Sequence, residues 1–140
     1  MQIYLPEDSL EGARPVVVYV PGGGMVSGDK RQTEVAWSCA GRFFARAGAV
    51  AIVVNYRLVP GVVYPGGGYV TLASLGRLLF RWDVLTCMWI RDDIRSIRQW
   101  VAQHIHKEPY RGDPNWLIIV GQSAGGTHVA TDCQSSILLL

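Results

Sequence analysis

The sequence predicts an α/β fold: a mostly parallel sheet with flanking helices. Three observations carry that expectation. Three short apolar runs, VVVYV (Val16 to Val20), AVAIVV (Ala49 to Val54) and WLIIV (Trp116 to Val120), are rich in β-branched residues. Each is continuous rather than alternating, which is the pattern of parallel strands covered on both faces. Turn signals close each run, and helical periodicity fills the stretches between them.

Taken in order, Gln2 to Leu5 reads as a short edge strand, and Val16 to Val20 as a central one ended by Pro21-Gly22-Gly23-Gly24. A helix is predicted over Thr33 to Ala47, with Trp37, Ala40, Phe44 and Ala47 on its apolar face and Gly48 as its stop. Ala49 to Val54 follows as a strand, ended by Asn55 and Pro60. From Asp92 to His106, Ile94, Ile97, Val101 and Ile105 recur at helical spacing. Asp92 and Asp93 sit in the first turn, where the helix dipole favours carboxylates. Trp116 to Val120 is the last strand, and a final helix is predicted from Ser123 through Val129. The order β-β-α-β-α-β-α implies parallel strands joined by helical crossovers.

One stretch does not fit. A single helix suffices for a parallel crossover, yet about 30 further residues precede Asp92, long for a connection in a compact domain. After Gly66-Gly67-Gly68 the run YVTLASLGRLLFRWDVLTCMWI has weak helical periodicity. Residues 69–91 read either as a lid-like insertion over a site or as sequence foreign to the domain, such as a retained intron.

Composition excludes several classes. The chain has 140 residues, 49% hydrophobic and 17% charged, with mean hydropathy +0.18, so it is no disordered polymer. A net charge of +2 without a basic run excludes an electrostatic nucleic-acid binder. The cysteines Cys39, Cys87 and Cys133 are odd in number and form no C-x-x-C, so no disulfide framework or zinc site is encoded. A reducing, cytoplasmic setting fits them. No basic segment followed by an apolar run opens the chain, so no signal peptide is expected. Arg77, Arg81 and Asp83 interrupt the longest apolar stretch, so no membrane span is expected.

The chemistry concentrates in two places. Gly121-Gln122-Ser123-Ala124-Gly125 is a G-x-S-x-G sequence between an apolar strand and a helical pattern. That context is what a nucleophile elbow requires: a turn so tight that the serine adopts strained angles at a helix N-terminus. The second place, Pro21-Gly22-Gly23-Gly24, also follows a buried strand, and glycines there let backbone N–H groups face a cavity. A phosphate-binding loop is excluded, because Asp29 stands where such a loop needs lysine and Ser27 where G-x-G-x-x-G needs its third glycine.

Together the two motifs resemble the α/β-hydrolase superfamily. The similarity is to its lipase and esterase branch with an HGGG-type oxyanion loop, which includes carboxylesterases, prenylcysteine methylesterases and kynurenine formamidases. VVVYVPGGGMVSGDK, AIVVNYRLVP, YPGG (Tyr64 to Gly67), DDIRSIRQWV and IIVGQSAGG carry it. In that branch a short loop joins YPGG to the acidic helix start, so 69–91 is additional. The resemblance implies Ser123 as nucleophile and the N–H groups of Gly23, Gly24 and Ala124 as the oxyanion hole. It implies a small apolar ester or amide as substrate, and no metal or organic cofactor.

Two departures stand out. Pro21 replaces the histidine that opens HGGG. In this fold the catalytic acid and base follow the serine in chain order, but only 17 residues (140 − 123) follow Ser123. His128 and Asp132 lie on the helix that begins at the serine, which turns His128 away from it. His104 and His106 are expected on the surface at a helix C-terminus. The expectation is therefore an incomplete α/β-hydrolase domain over 1–140, inactive as it stands. The alternative is a non-catalytic hydrolase-like binding protein.

Overall fold

A computed structural model describes residues 1–7, 12–23, 36–57 and 92–137. The elements are β1 (Gln2–Tyr4), β2 (Arg14–Val20), α1 (Ala36–Arg46), β3 (Val50–Val53), α2 (92–104), β4 (Gly112–Gly121) and α3 (Ala124–Ile137). Their order is the one the hydrophobic pattern predicts. The segment 69–91 lies outside the described residues.

The four strands form one sheet in the order β1-β3-β2-β4. β2 runs parallel to β3, with Val16 opposite Val50 and Val18 opposite Ile52. β2 also runs parallel to β4, with Val18 opposite Ile119 and Val20 opposite Gly121. Among the described residues β1 is the one antiparallel strand, and it pairs with β3 at the edge.

One face of the sheet presents Val16, Val18, Val20, Val50 and Ile52, all essentially without exposure. Ile94, Val101 and Ile105 of α2 and its C-terminal turn cover that face, with Val129 of α3 beside them. Their spacing puts them on one helical stripe, and each fully buried side chain contributes about 1.5–3 kcal/mol. The other face carries α1, which packs on β3, β1 and β2. Tyr19 of β2 meets Trp37 of α1 at 6.1 Å between ring centroids.

Two expectations need correction. The buried stripe of α1 is centred on Ser38, Gly41 and Ala45, not on Trp37, Ala40, Phe44 and Ala47. Ala47 lies past the helix end and is exposed, while Trp37, Ala40 and Phe44 flank the stripe half-buried. The cause is close approach: a methyl at Gly41 would overlap the ring of Tyr4, so the helix seats its smallest residues against the strands. The second correction concerns β4. Its sequence resembles a strand buried on both faces, but Trp116 and Ile118 are 56% and 45% exposed. Among the described residues β4 is the sheet edge, and these two side chains lie on the α1 face beyond the reach of α1.

Candidate active site

Because β2 and β4 are parallel and level, their C-terminal ends lie side by side, and the loops that leave them meet. Gln122 N–H donates to the Val20 carbonyl at 3.0 Å, carrying the ladder one residue past β4. The chain then turns sharply into α3. Gly125 N–H donates to Gln122 O at 2.9 Å and Thr127 N–H to Ser123 O at 3.2 Å. Between strand and helix, Ser123 sits at φ +51°. Left-handed backbone costs a residue with a side chain about 1–2 kcal/mol, so the surroundings must impose it.

The surroundings are glycines packed backbone to backbone. A methyl at Gly121 would lie 2.6 Å from both Gly125 O and Gly126 Cα. One at Gly125 would lie 2.7 Å from Pro21 O and closer still to Val20 O. The glycine loop touches the turn directly: a methyl at Gly22 would lie 2.9 Å from Gln122 O and 3.0 Å from the Ser123 Cβ. Only bare backbone fits at these approaches. The Tyr19 hydroxyl adds a side-chain tie, donating to Gln122 Oε1 at 3.0 Å. Burial raises the pKa of that hydroxyl above its ordinary value, so it remains a donor at neutral pH.

A strained serine between a parallel strand and a helix N-terminus, with a glycine loop seated against it, is nucleophile-elbow geometry. The chain is similar to known proteins. The sequence model of the BD-FAE family matches residues 1–67. Phenmedipham hydrolase of Pseudarthrobacter oxydans is 32% identical over 127 residues, 90% of this chain and 21% of its own length. The butyrate-bound esterase 2 of Thermogutta terrifontis superposes with a TM-score of 0.58 at 26% identity, over 91% of this chain and 37% of that one. The same esterase phosphorylated by paraoxon gives a TM-score of 0.60 at 27% identity, over 91% and 39%. The chain has an α/β-hydrolase fold and is similar to the esterase branch of that superfamily. It spans about a fifth of the length of the curated relatives it matches.

Within this α/β-hydrolase chain the expected site residues fall as follows. Gly23 continues the glycine loop at φ +132°, and Ala124 opens α3, 8% exposed. Gly24 lies outside the described residues. Gly22, not among the residues expected at the oxyanion hole, is the glycine that lies against Gln122 O and the Ser123 Cβ. Its signal was its position as the first glycine after the strand. The Tyr19–Gln122 bond had no signal, because its partners are 103 positions apart.

The three histidines lie elsewhere in this esterase-like fold. The Ile105 carbonyl accepts from Gly112 N–H at 2.8 Å, which puts the end of α2 beside the start of β4. Ser123 follows the far end of that strand, and ten residues of strand span about 33 Å. His104, stacked on Trp100, and exposed His106 therefore lie at the opposite end of the sheet from the serine. His128 is 1% exposed and meets Tyr56 edge to face at 5.1 Å. Five residues at about 100° each turn it some 140° around α3 from Ser123. Asp132, one turn on, is 2% exposed and accepts from Arg98 at 3.0 Å.

Cys39 and Cys133 are free, exposed thiols, and Cys87 lies outside the described residues. Among the described residues, no three His, Cys, Asp or Glu side chains group to hold a metal ion, and no helix is long and apolar enough to cross a membrane.

Proposed function

We propose that this chain carries the nucleophile and oxyanion hole of a serine hydrolase acting on small apolar carboxylic esters or related amides. Ser123 Oγ attacks the carbonyl carbon and gives up its proton to a base. Backbone N–H groups of Gly23, Gly24 and Ala124 hold the oxyanion. Collapse expels the alcohol, or amine, with a proton and leaves an acyl-enzyme, which water opens to the acid. The observation that carries this reading is the left-handed Ser123 packed against the glycine loop. The esterase bound to butyrate and phosphorylated by paraoxon, with which this chain superposes, favours a short acyl group.

The positions of the three histidines add a second element. None stands beside Ser123, so the hydroxyl lacks an imidazole base from this chain. Loss of triad members typically costs about 10⁴–10⁶ in rate, while an oxyanion hole alone retains about 10³–10⁴ over water. Turnover of short p-nitrophenyl esters by these 140 residues should be negligible, with Ser123 still the most reactive hydroxyl. The test is prolonged incubation with paraoxon, followed by peptide mass spectrometry. A diethylphosphoryl adduct should form on Ser123 faster than on the chain's other serines and vanish in Ser123→Ala. Equal labelling of all serines, or none, would overturn the reading. Saturable butyrate binding without any adduct would favour the alternative, a hydrolase-like binding protein.

A further inference from the structure

We propose that His128 is an acid-sensitive latch. When neutral, it seals α3 against Tyr56 and α2; once protonated, it must leave that pocket, and it loosens the helix that follows the Ser123 turn. The geometry is unusual for an imidazole. The residue is 1% exposed, and neither ring nitrogen has a hydrogen-bond partner among the described residues. Its aromatic neighbour among the described residues is Tyr56, itself 7% exposed, whose hydroxyl also finds no partner there. A neutral imidazole tolerates such a pocket far better than a cation does.

The charged groups around it are already engaged. From the segment after β3 come Tyr56 and Arg57, and from α2 come Asp93 and Arg98. α3 itself adds Asp132, and β2 and β4 present only aliphatic side chains, Val18, Val20 and Ile119, on that face. The field of Asp93 reaches the ring. It is held by Arg57, whose backbone N–H and Nε both donate to one oxygen at 3.1 Å while a terminal nitrogen lies 2.9 Å from the other. Asp132 is held by Arg98. Burial lowers the basicity of the ring and Asp93 raises it, with burial the larger effect.

The sign follows. The unfolded chain takes up a proton near pH 6.5, and the folded chain does so at lower pH. Stability is complete above about 6.5 and is lost as pH falls towards the folded midpoint. Each unit of separation is about a tenfold loss in the folding constant. The experiment compares the wild type with His128→Phe, which keeps a flat ring and cannot titrate. His104 and His106 are common to both. Between pH 7 and 5 the wild type should lose more in folding constant than the variant. In parallel, NMR titration of the wild-type His128 ring should give a midpoint below 6.5. Identical pH dependence of the two chains, or a midpoint at or above 6.5, would overturn the proposal. If the variant does not fold, the wild-type titration alone decides.

Discussion

Substituting Gly125 by alanine tests the reasoning about the serine turn most directly. The new methyl would meet Pro21 O at 2.7 Å, the Val20 carbonyl carbon at 2.8 Å, and Val20 O more closely still. Ordinary contact begins at 3.4 Å, so the start of α3 must move off the end of β2 by at least about 0.7 Å. The obstacles are backbone atoms in a hydrogen-bonded ladder and cannot rotate aside. Overpacking typically costs about 1–3 kcal/mol, and this site belongs at the upper end, near 3. Better helix propensity returns about 1 kcal/mol, leaving a net loss of about 2. For 140 residues at about 2.1 cal/mol/K each, that lowers the melting temperature by about 7 °C. The control is Gly126→Ala, whose methyl approaches only Gly121, with its oxygen at 3.2 Å. It should stay within about 1 kcal/mol of the wild type. Thermal unfolding followed by circular dichroism reads both. A Gly125→Ala protein as stable as the wild type, or a Gly126→Ala protein equally damaged, would refute the close-approach argument.

Ser123→Gly should be at least as stable as the wild type, because glycine adopts φ +51° without the penalty of about 1–2 kcal/mol, yet it should take up no paraoxon. Ile94→Ala, at a site 1% exposed, should cost about 2–5 kcal/mol in urea denaturation with an unchanged slope. Arg98→Gln should cost more than Arg57→Gln. The first leaves the carboxylate of Asp132, 3% exposed, without its guanidinium partner, while the second breaks a pair exposed 48% and 23% and worth under about 1 kcal/mol. Ile118→Lys on the exposed face of β4 should leave stability within about 0.5 kcal/mol and reduce aggregation measured by light scattering; a large loss of stability would mean that the face is covered.

Hydrophobic period and turn chemistry determined the order of elements. Continuous β-branched runs such as Val16 to Val18 and Val50 to Val54 can be satisfied only by cover on both faces, and those residues are buried. The same local signals placed Ser123 between a strand and a helix, since Gly121 and Gly125 flank it at the spacing a tight turn needs. What depends on distant partners was not legible. The stripe on α1 moved to Ser38, Gly41 and Ala45 because the Tyr4 ring occupies the space beside Gly41. The exposure of Trp116 and Ile118 follows from β4 being an edge, a property of strand order rather than of the strand's own residues. Nor could the sequence foresee that His128 would be buried against Tyr56. Burial is set by which surfaces meet, and α3 meets Tyr56 only once β2, β3 and β4 have aligned. Local sequence thus determined where the Ser123 turn forms; tertiary packing decided that the three histidines stand away from it, because proximity across a sheet depends on register and layer.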